Sequence, residues 1–179
     1  MSKLIFNMRN LRLIMFEVLL IMLVAVQLKA QNHVLVALDN FEQEIGDTID
    51  VPLSIATSGL LVATYRVDIV YDQSVLEVLS YQGQSPWLVF GNIEDAGIVR
   101  LAGLNLNGQH TNFIGATLQF EVIGLPGQLS YLDIYVERVT DRNNQDLLHD
   151  YSNGQVAINC SDLIHIGNPQ FQHIDKGVF

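Results

Sequence analysis

A single cysteine, Cys160, stands among the 179 residues of this chain. No disulfide can close within it, so the fold must be held by its core. About 130 residues suffice for that, since chains near 150 residues bury roughly 68–70% of the surface they expose when unfolded. Basic residues are also scarce. Nine Lys+Arg face nineteen Asp+Glu, for a formal charge of −10. Such a surface repels phosphate backbones, which excludes nucleic acid as a partner, and it makes anionic membranes poor partners too. The plain reading of the acidity is solubility outside the cell.

Catalytic signatures are missing as well. The five histidines are scattered, and no G-x-S-x-G, H-E-x-x-H or Gly-rich phosphate loop is present. Glu94 and Asp95 are neighbours in the chain. Adjacent strand residues point to opposite faces, whereas a glycosidase needs two carboxyls facing one bond at roughly 5–9.5 Å. Cys160, His165 and His173 are too widely spaced for a zinc site. The expectation is a protein that is not an enzyme and carries no cofactor or metal of its own.

What is present begins with a targeting pattern in residues 1–30. Lys3, Arg9 and Arg12 precede an apolar run from Leu13 to Val26, broken only by Glu17, and Ala30 is suited to the position before a cleavage point. Leu28 and Lys29 fit that point less well. The alternative is an uncleaved anchor through residues 13–26, the chain's only route into a membrane. Its run is short of the roughly 20 residues a spanning helix needs, and Glu17 is costly at mid-bilayer. A cleaved signal places the protein outside the cell or on its surface. Cleavage removes Lys3, Arg9, Arg12, Lys29 and Glu17, leaving five basic and eighteen acidic residues and a formal charge of −13.

From Val34 to Ile158 the hydrophobic period is two. Tyr65, Val67, Ile69 and Tyr71 alternate with Thr64, Arg66, Asp68 and Val70; Val51, Leu53 and Ile55 alternate with Pro52, Ser54 and Ala56. Leu118, Phe120 and Val122, and then Leu132, Ile134 and Val136, repeat the pattern. Successive strand side chains point to opposite faces, so these are half-buried strands, with Pro52 marking a strand start or an edge. Gly46-Asp47, Ser58-Gly59, Asn107-Gly108, Pro126-Gly127 and Asn153-Gly154 divide them as turns. Many short strands between regular turns indicate an all-β sandwich or barrel. The domain is read as residues 31–159. Residues 160–179 are read as a tail or the start of a linker.

Several of these segments resemble one family. Ile45-Gly46-Asp47-Thr48-Ile49-Asp50-Val51-Pro52-Leu53 is similar to the opening strand of cohesin domains, and Tyr71-Asp72-Gln73-Ser74-Val75-Leu76-Glu77-Val78 resembles their strand-turn-strand segment, with Gln73 where proline is usual. Gly97 to Gly103, Gly115 to Val122, Val139-Thr140-Asp141 and Gly154 to Ile158 follow in the family's order. The resemblance implies a nine-stranded jelly-roll sandwich acting as a receptor for dockerin modules, which are usually carried by polysaccharide-degrading enzymes. It implies that any calcium belongs to the dockerin. Within this chain, Asp141 to Asp146 is acidic, but Asp146 stands where a calcium loop needs glycine and Ser152 where it needs glutamate, so a turn is expected there.

In the family one flat sheet face meets the dockerin. The matching outward residues here are Thr64, Arg66, Asp68 and Val70, with Asn105 and Asn107 expected nearby; the plain alternative is a solvated sheet face. A second reading is a carbohydrate-binding module on the same architecture, using Tyr131 and Tyr135 on one strand face together with Trp87. Trp87 and Phe90 fall in a segment read as a loop, and the alternative for Trp87 is a ring closing one end of the core. A third reading is a structural sandwich of a surface adhesin.

Overall fold

The computed structural model describes residues 32–159. Residues 1–30, expected to be a targeting segment, and residues 160–179, expected to be a tail or linker and holding Cys160, His165 and His173, lie outside the described residues. Eleven strands follow in order: β1 (Val34–Ala37), β2 (Asn40–Gln43), β3 (Thr48–Ala56), β4 (Val62–Val70), β5 (Leu76–Gly83), β6 (Leu88–Asn92), β7 (Ile98–Gln109), β8 (Phe113–Val122), β9 (Leu129–Thr140), β10 (His149–Ser152) and β11 (Gly154–Ile158). They form a five-stranded sheet, β10-β1-β3-β8-β5, and a six-stranded sheet, β2-β11-β9-β4-β7-β6. No helix occurs among the described residues.

The two sheets meet through the residues that the period-two pattern points inward. Val51, Leu53 and Ile55 from β3 and Leu118, Phe120 and Val122 from β8 are buried with Tyr65, Val67 and Ile69 from β4 and Leu132 and Ile134 from β9. Val136 is only half-buried, because β9 carries a bulge opposite the Arg66–Val67 step. The extra residue, Glu137, shifts the phase so that Val139, opposite Tyr65, faces inward. Pro52 lies inside β3 rather than at its start. β1 pairs β3 only at Ser54, Ile55 and Ala56, so at Pro52 the strand has β8 on one side and no strand on the other. It is a local edge, where a missing donor is tolerated.

Tyr65 occupies the thickness of the core. A Cβ on Gly103 (β7) would come within 2.0 Å of its ring, and one on Gly115 (β8) within 3.0 Å. The ring thus fits a slot that two glycines open, one in each sheet. Its hydroxyl is buried without a hydrogen-bond partner among the described residues, and burial pushes the phenol pKa up.

Eleven strands replace the nine expected because both terminal strands break in two. The chain leaves the five-stranded sheet after β1 and joins the six-stranded sheet as β2; β10 and β11 make the same step at Asn153. The crossings run side by side, since β1 pairs β10 in parallel and β2 pairs β11 in parallel. Gly154 sits where they touch. A Cβ there would lie 2.3 Å from the Asp39 carbonyl oxygen and 2.9 Å from Leu38 Cβ.

The β4–β5 turn is held without the proline usual at Gln73. Asp72 Oδ1 accepts the Ser74 backbone N–H at 2.8 Å and the Ser74 hydroxyl at 2.6 Å, and the Val75 N–H donates to the Asp72 carbonyl at 3.0 Å. The side chain thus supplies the restraint that proline would give through φ. The Ser74 bonds hold the Asp72 carboxyl below the usual aspartate range.

Two outcomes follow from these contacts. Gly154→Ala forces backbone apart at the crossing and should cost about 1–3 kcal/mol, read as a lower denaturant midpoint at unchanged slope. The depressed Asp72 pKa gives stability that is full above the ordinary aspartate value of about 3.9 and is lost as pH falls through the folded-state value. Asp72→Asn keeps the accepting oxygen and cannot titrate, so the acid decline in stability should become shallower. Asp141, held low mainly by the Gln145 backbone N–H, leaves part of that decline in place.

Candidate partner-binding face

Strand register sets out the outer face of the six-stranded sheet in rows. Leu88, Leu104 and Thr64 form one; Phe90, Ala102, Arg66 and Arg138 the next; then Asn92, Arg100, Asp68 and Tyr135; then Ile98, Val70 and Asp133. These residues face outward because Tyr65, Val67 and Ile69 must face inward on the same strand. Ala102 is the small member at the centre. Around it lies a shallow depression of about 330 Å³ bordered by Phe90, Arg66, Arg100, Asp68 and Glu137.

The charge on this face is unlike that of the chain as a whole. Residues 32–159 contain four basic side chains, Arg66, Arg100, Arg138 and Arg142, and the first three lie here. Each has an acidic neighbour. Arg66 Nη1 is 3.2 Å from Glu137 Oε2, Arg138 Nε is 2.5 Å from Asp146 Oδ1, and Arg100 bonds Asp95 while its Nε stands 3.7 Å from Asp68 Oδ2. Exposed pairs of this kind add little stability, typically about 0–1 kcal/mol, so their partners are exchangeable. Asp68 Oδ1 is buried and has no hydrogen-bond partner among the described residues. Leaving such an acceptor unmet costs about 1–3 kcal/mol.

Four of the residues expected on the face are on it: Thr64, Arg66, Asp68 and Val70. Arg66 is exposed and the other three are half-buried, with Thr64 Oγ1 hydrogen-bonded to Thr140 Oγ1 at 2.6 Å. Asn107 is exposed, but Asn105 is a correction. It is buried at 4% exposure, and its Oδ1 accepts the Asn107 backbone N–H at 3.1 Å. The cause is local. Between Gln109, opposite Val62, and Leu104, opposite Thr64, β7 inserts residues 105–108 against the single Ala63. Asn105 faces inward because it continues the buried row of Val99, Leu101 and Gly103 up to that bulge, and the bulge leaves both Leu106, at 79% exposure, and Asn107 in solvent.

Trp87 corrects the sugar-binding reading, since it offers no ring to solvent, and meets the other expectation, a ring closing one end of the core. It is 5% exposed, stacks on Phe113 at 4.3 Å between centroids, lies 5.4 Å from the Tyr65 ring and donates Nε1–H to Gln109 Oε1 at 3.0 Å. It closes one end of the core. The segment after it is an edge strand, β6, not a loop, and it presents Leu88 and Phe90 outward. The sequence reading missed Phe90, Leu88, Ala102, Arg100 and Arg138. The alternation Leu88-Val89-Phe90-Gly91-Asn92 carried the signal for the first two. The 141–146 segment is a turn, with Asp141 Oδ1 taken up by the backbone N–H groups of Asn143 and Gln145 at 2.8 and 2.9 Å.

No family model matches the sequence, and no curated protein does. Solved structures do. CaCohA2 from Clostridium acetobutylicum superposes with a TM-score of 0.65 at 21% identity, over 73% of this chain and 94% of its own. A non-cellulosomal cohesin from the hyperthermophilic archaeon Archaeoglobus fulgidus matches with a TM-score of 0.63 at 19% identity, over 70% and 91% of the two chains. The sixth cohesin of scaffoldin B from Acetivibrio cellulolyticus, solved in complex with a Cel5 dockerin variant, matches with a TM-score of 0.63 at 19% identity, over 71% and 99%. The described domain has the cohesin fold.

Proposed function

We propose that this domain is a non-catalytic docking module whose outer β9-β4-β7-β6 face receives a dockerin-like protein module. The observation that carries the reading is the centre of that face. A small residue, Ala102, lies beside an exposed ring, Phe90, and a ring of arginines and carboxylates surrounds it, including a buried Asp68 oxygen with no donor. An apolar centre with polar groups at its margin is the usual anatomy of a protein interface, and an aromatic anchor is a common hot spot. A partner side chain can enter over Ala102, and a partner donor can meet the exposed part of the Asp68 carboxylate beside Arg100. The fold's occurrence in cohesin–dockerin complexes supports the choice of partner. The finer part of the proposal is that the partner belongs to polysaccharide-degrading proteins, with calcium held on its side.

We read residues 1–30 as an export signal that places the module in the medium or on the cell surface. Mass spectrometry of protein recovered outside the cell should find Gln31 as its first residue; an intact N-terminus would indicate the anchor instead.

Calorimetry against a panel of dockerin modules, with calcium and with a chelator, tests the docking reading. At least one should bind, and only with calcium. Phe90→Ala, and Arg66→Glu combined with Asp68→Lys, should each weaken it by about tenfold or more, while Gln82→Ala on the opposite sheet should leave it unchanged. Unchanged affinity in both face variants would remove this face from the proposal. Failure of the whole panel to bind would remove the dockerin.

A further inference from the structure

The six tyrosines divide evenly. Tyr65 and Tyr71 are in the core and Tyr81 packs against it, whereas Tyr131, Tyr135 and Tyr151 are 59%, 59% and 57% exposed. The exposed three lie on two strands that touch, β9 and β10. Tyr131 and Tyr135 share the outer side of β9, four residues or about 13 Å apart. Gly154 pairs with Leu132 and Gln155 with Tyr131, so the same register carried back along the chain sets Tyr151 level with Tyr135. There β10 turns toward the other sheet while still touching β9.

Polar groups lie between the rings, and they are fixed. Asn153 Nδ2 donates to Asp133 Oδ1 at 2.7 Å, and Asn153 Oδ1 accepts the Ile134 backbone N–H at 2.9 Å. Gln155 stands opposite Tyr131 and beside Asn40. Asn40, Asp133, Asn153 and Gln155 together hold amide donors, amide acceptors and a carboxylate, with no lysine or arginine among them.

We propose that the Tyr131–Tyr135–Tyr151 corner is a binding strip for a neutral, extended polysaccharide. A pyranose ring has an apolar C–H face and a hydroxyl rim. Exposed tyrosine rings offer apolar faces to the first, and the amides and carboxylate between them can bond the second. Spacing of the rings along a strand favours a chain of several sugars over a single one. The acidic surface and the absence of lysine or arginine among Asn40, Asp133, Asn153 and Gln155 disfavour uronic-acid polymers. Trp87, buried at the other end of the domain's core, has no part in it.

Native electrophoresis of the full-length protein through gels containing mixed-linkage β-glucan, xyloglucan or polygalacturonate, and sedimentation with insoluble cellulose, tests this directly. Retention on at least one neutral polymer and none on polygalacturonate is expected. Tyr131→Ala, Tyr135→Ala and Tyr151→Ala combined should weaken retention by about tenfold or more, with the thermal midpoint unchanged because the rings are exposed. The corresponding triple Phe variant should keep most of it, since the ring faces remain. Absence of retention on every neutral polymer, or equal retention of the triple Ala variant, would overturn the proposal. Phe90→Ala should leave sugar retention intact, which separates this strip from the protein-docking face.

Discussion

Tyr65, Val67 and Ile69 determine what the surface of β4 can present. Their burial fixes which way the strand faces, and a slip of one residue would send Arg66 and Asp68 into the core and three apolar side chains into water. The slot for Tyr65, opened by Gly103 and Gly115 in opposing sheets, makes that register hard to change. With no disulfide possible, the fit of this ring and its neighbours Trp87 and Phe113 replaces a covalent brace at that end of the sandwich. The outer face is therefore only as ordered as the core beneath it.

Much of this was legible in the chain because a half-buried strand writes its orientation as alternation. β3, β4, β8 and most of β9 follow that code, and Thr64, Arg66, Asp68 and Val70 lie where it puts them. Alternation stops being a guide where the backbone departs from two-residue steps. The bulge at Glu137 changed the phase of β9, and the four-residue bulge at 105–108 broke the alternation of β7 so that Leu106 and Asn107 are both exposed. Trp87 posed a different difficulty, because a large ring beside a short edge strand has the same local sequence whether it closes a core or faces a ligand. Its partners, Phe113 and Gln109, are more than twenty residues away. The pairing of three arginines on one sheet is also non-local, since each comes from a different strand.

Two surfaces of different character adjoin on the six-stranded sheet. One is centred on Ala102 and Phe90 and is rich in guanidinium and carboxylate groups; the other is tyrosine and amide. They share β9, whose Tyr135 lies opposite Asp68. A sandwich fold by itself supports many roles, so the chemistry of these side chains carries the functional reading rather than the architecture.

The side-by-side crossing of the terminal strands has a mechanical consequence. Val34 begins beside His149, and Ile158 ends beside Gln43, so the described domain's two ends lie at opposite ends of the paired terminal segments. Tension applied between those ends runs along the strands. It loads the β1–β10 and β2–β11 hydrogen bonds in shear, all at once, instead of peeling them one by one. A module built this way resists extension along the line on which a neighbour or an anchor would pull.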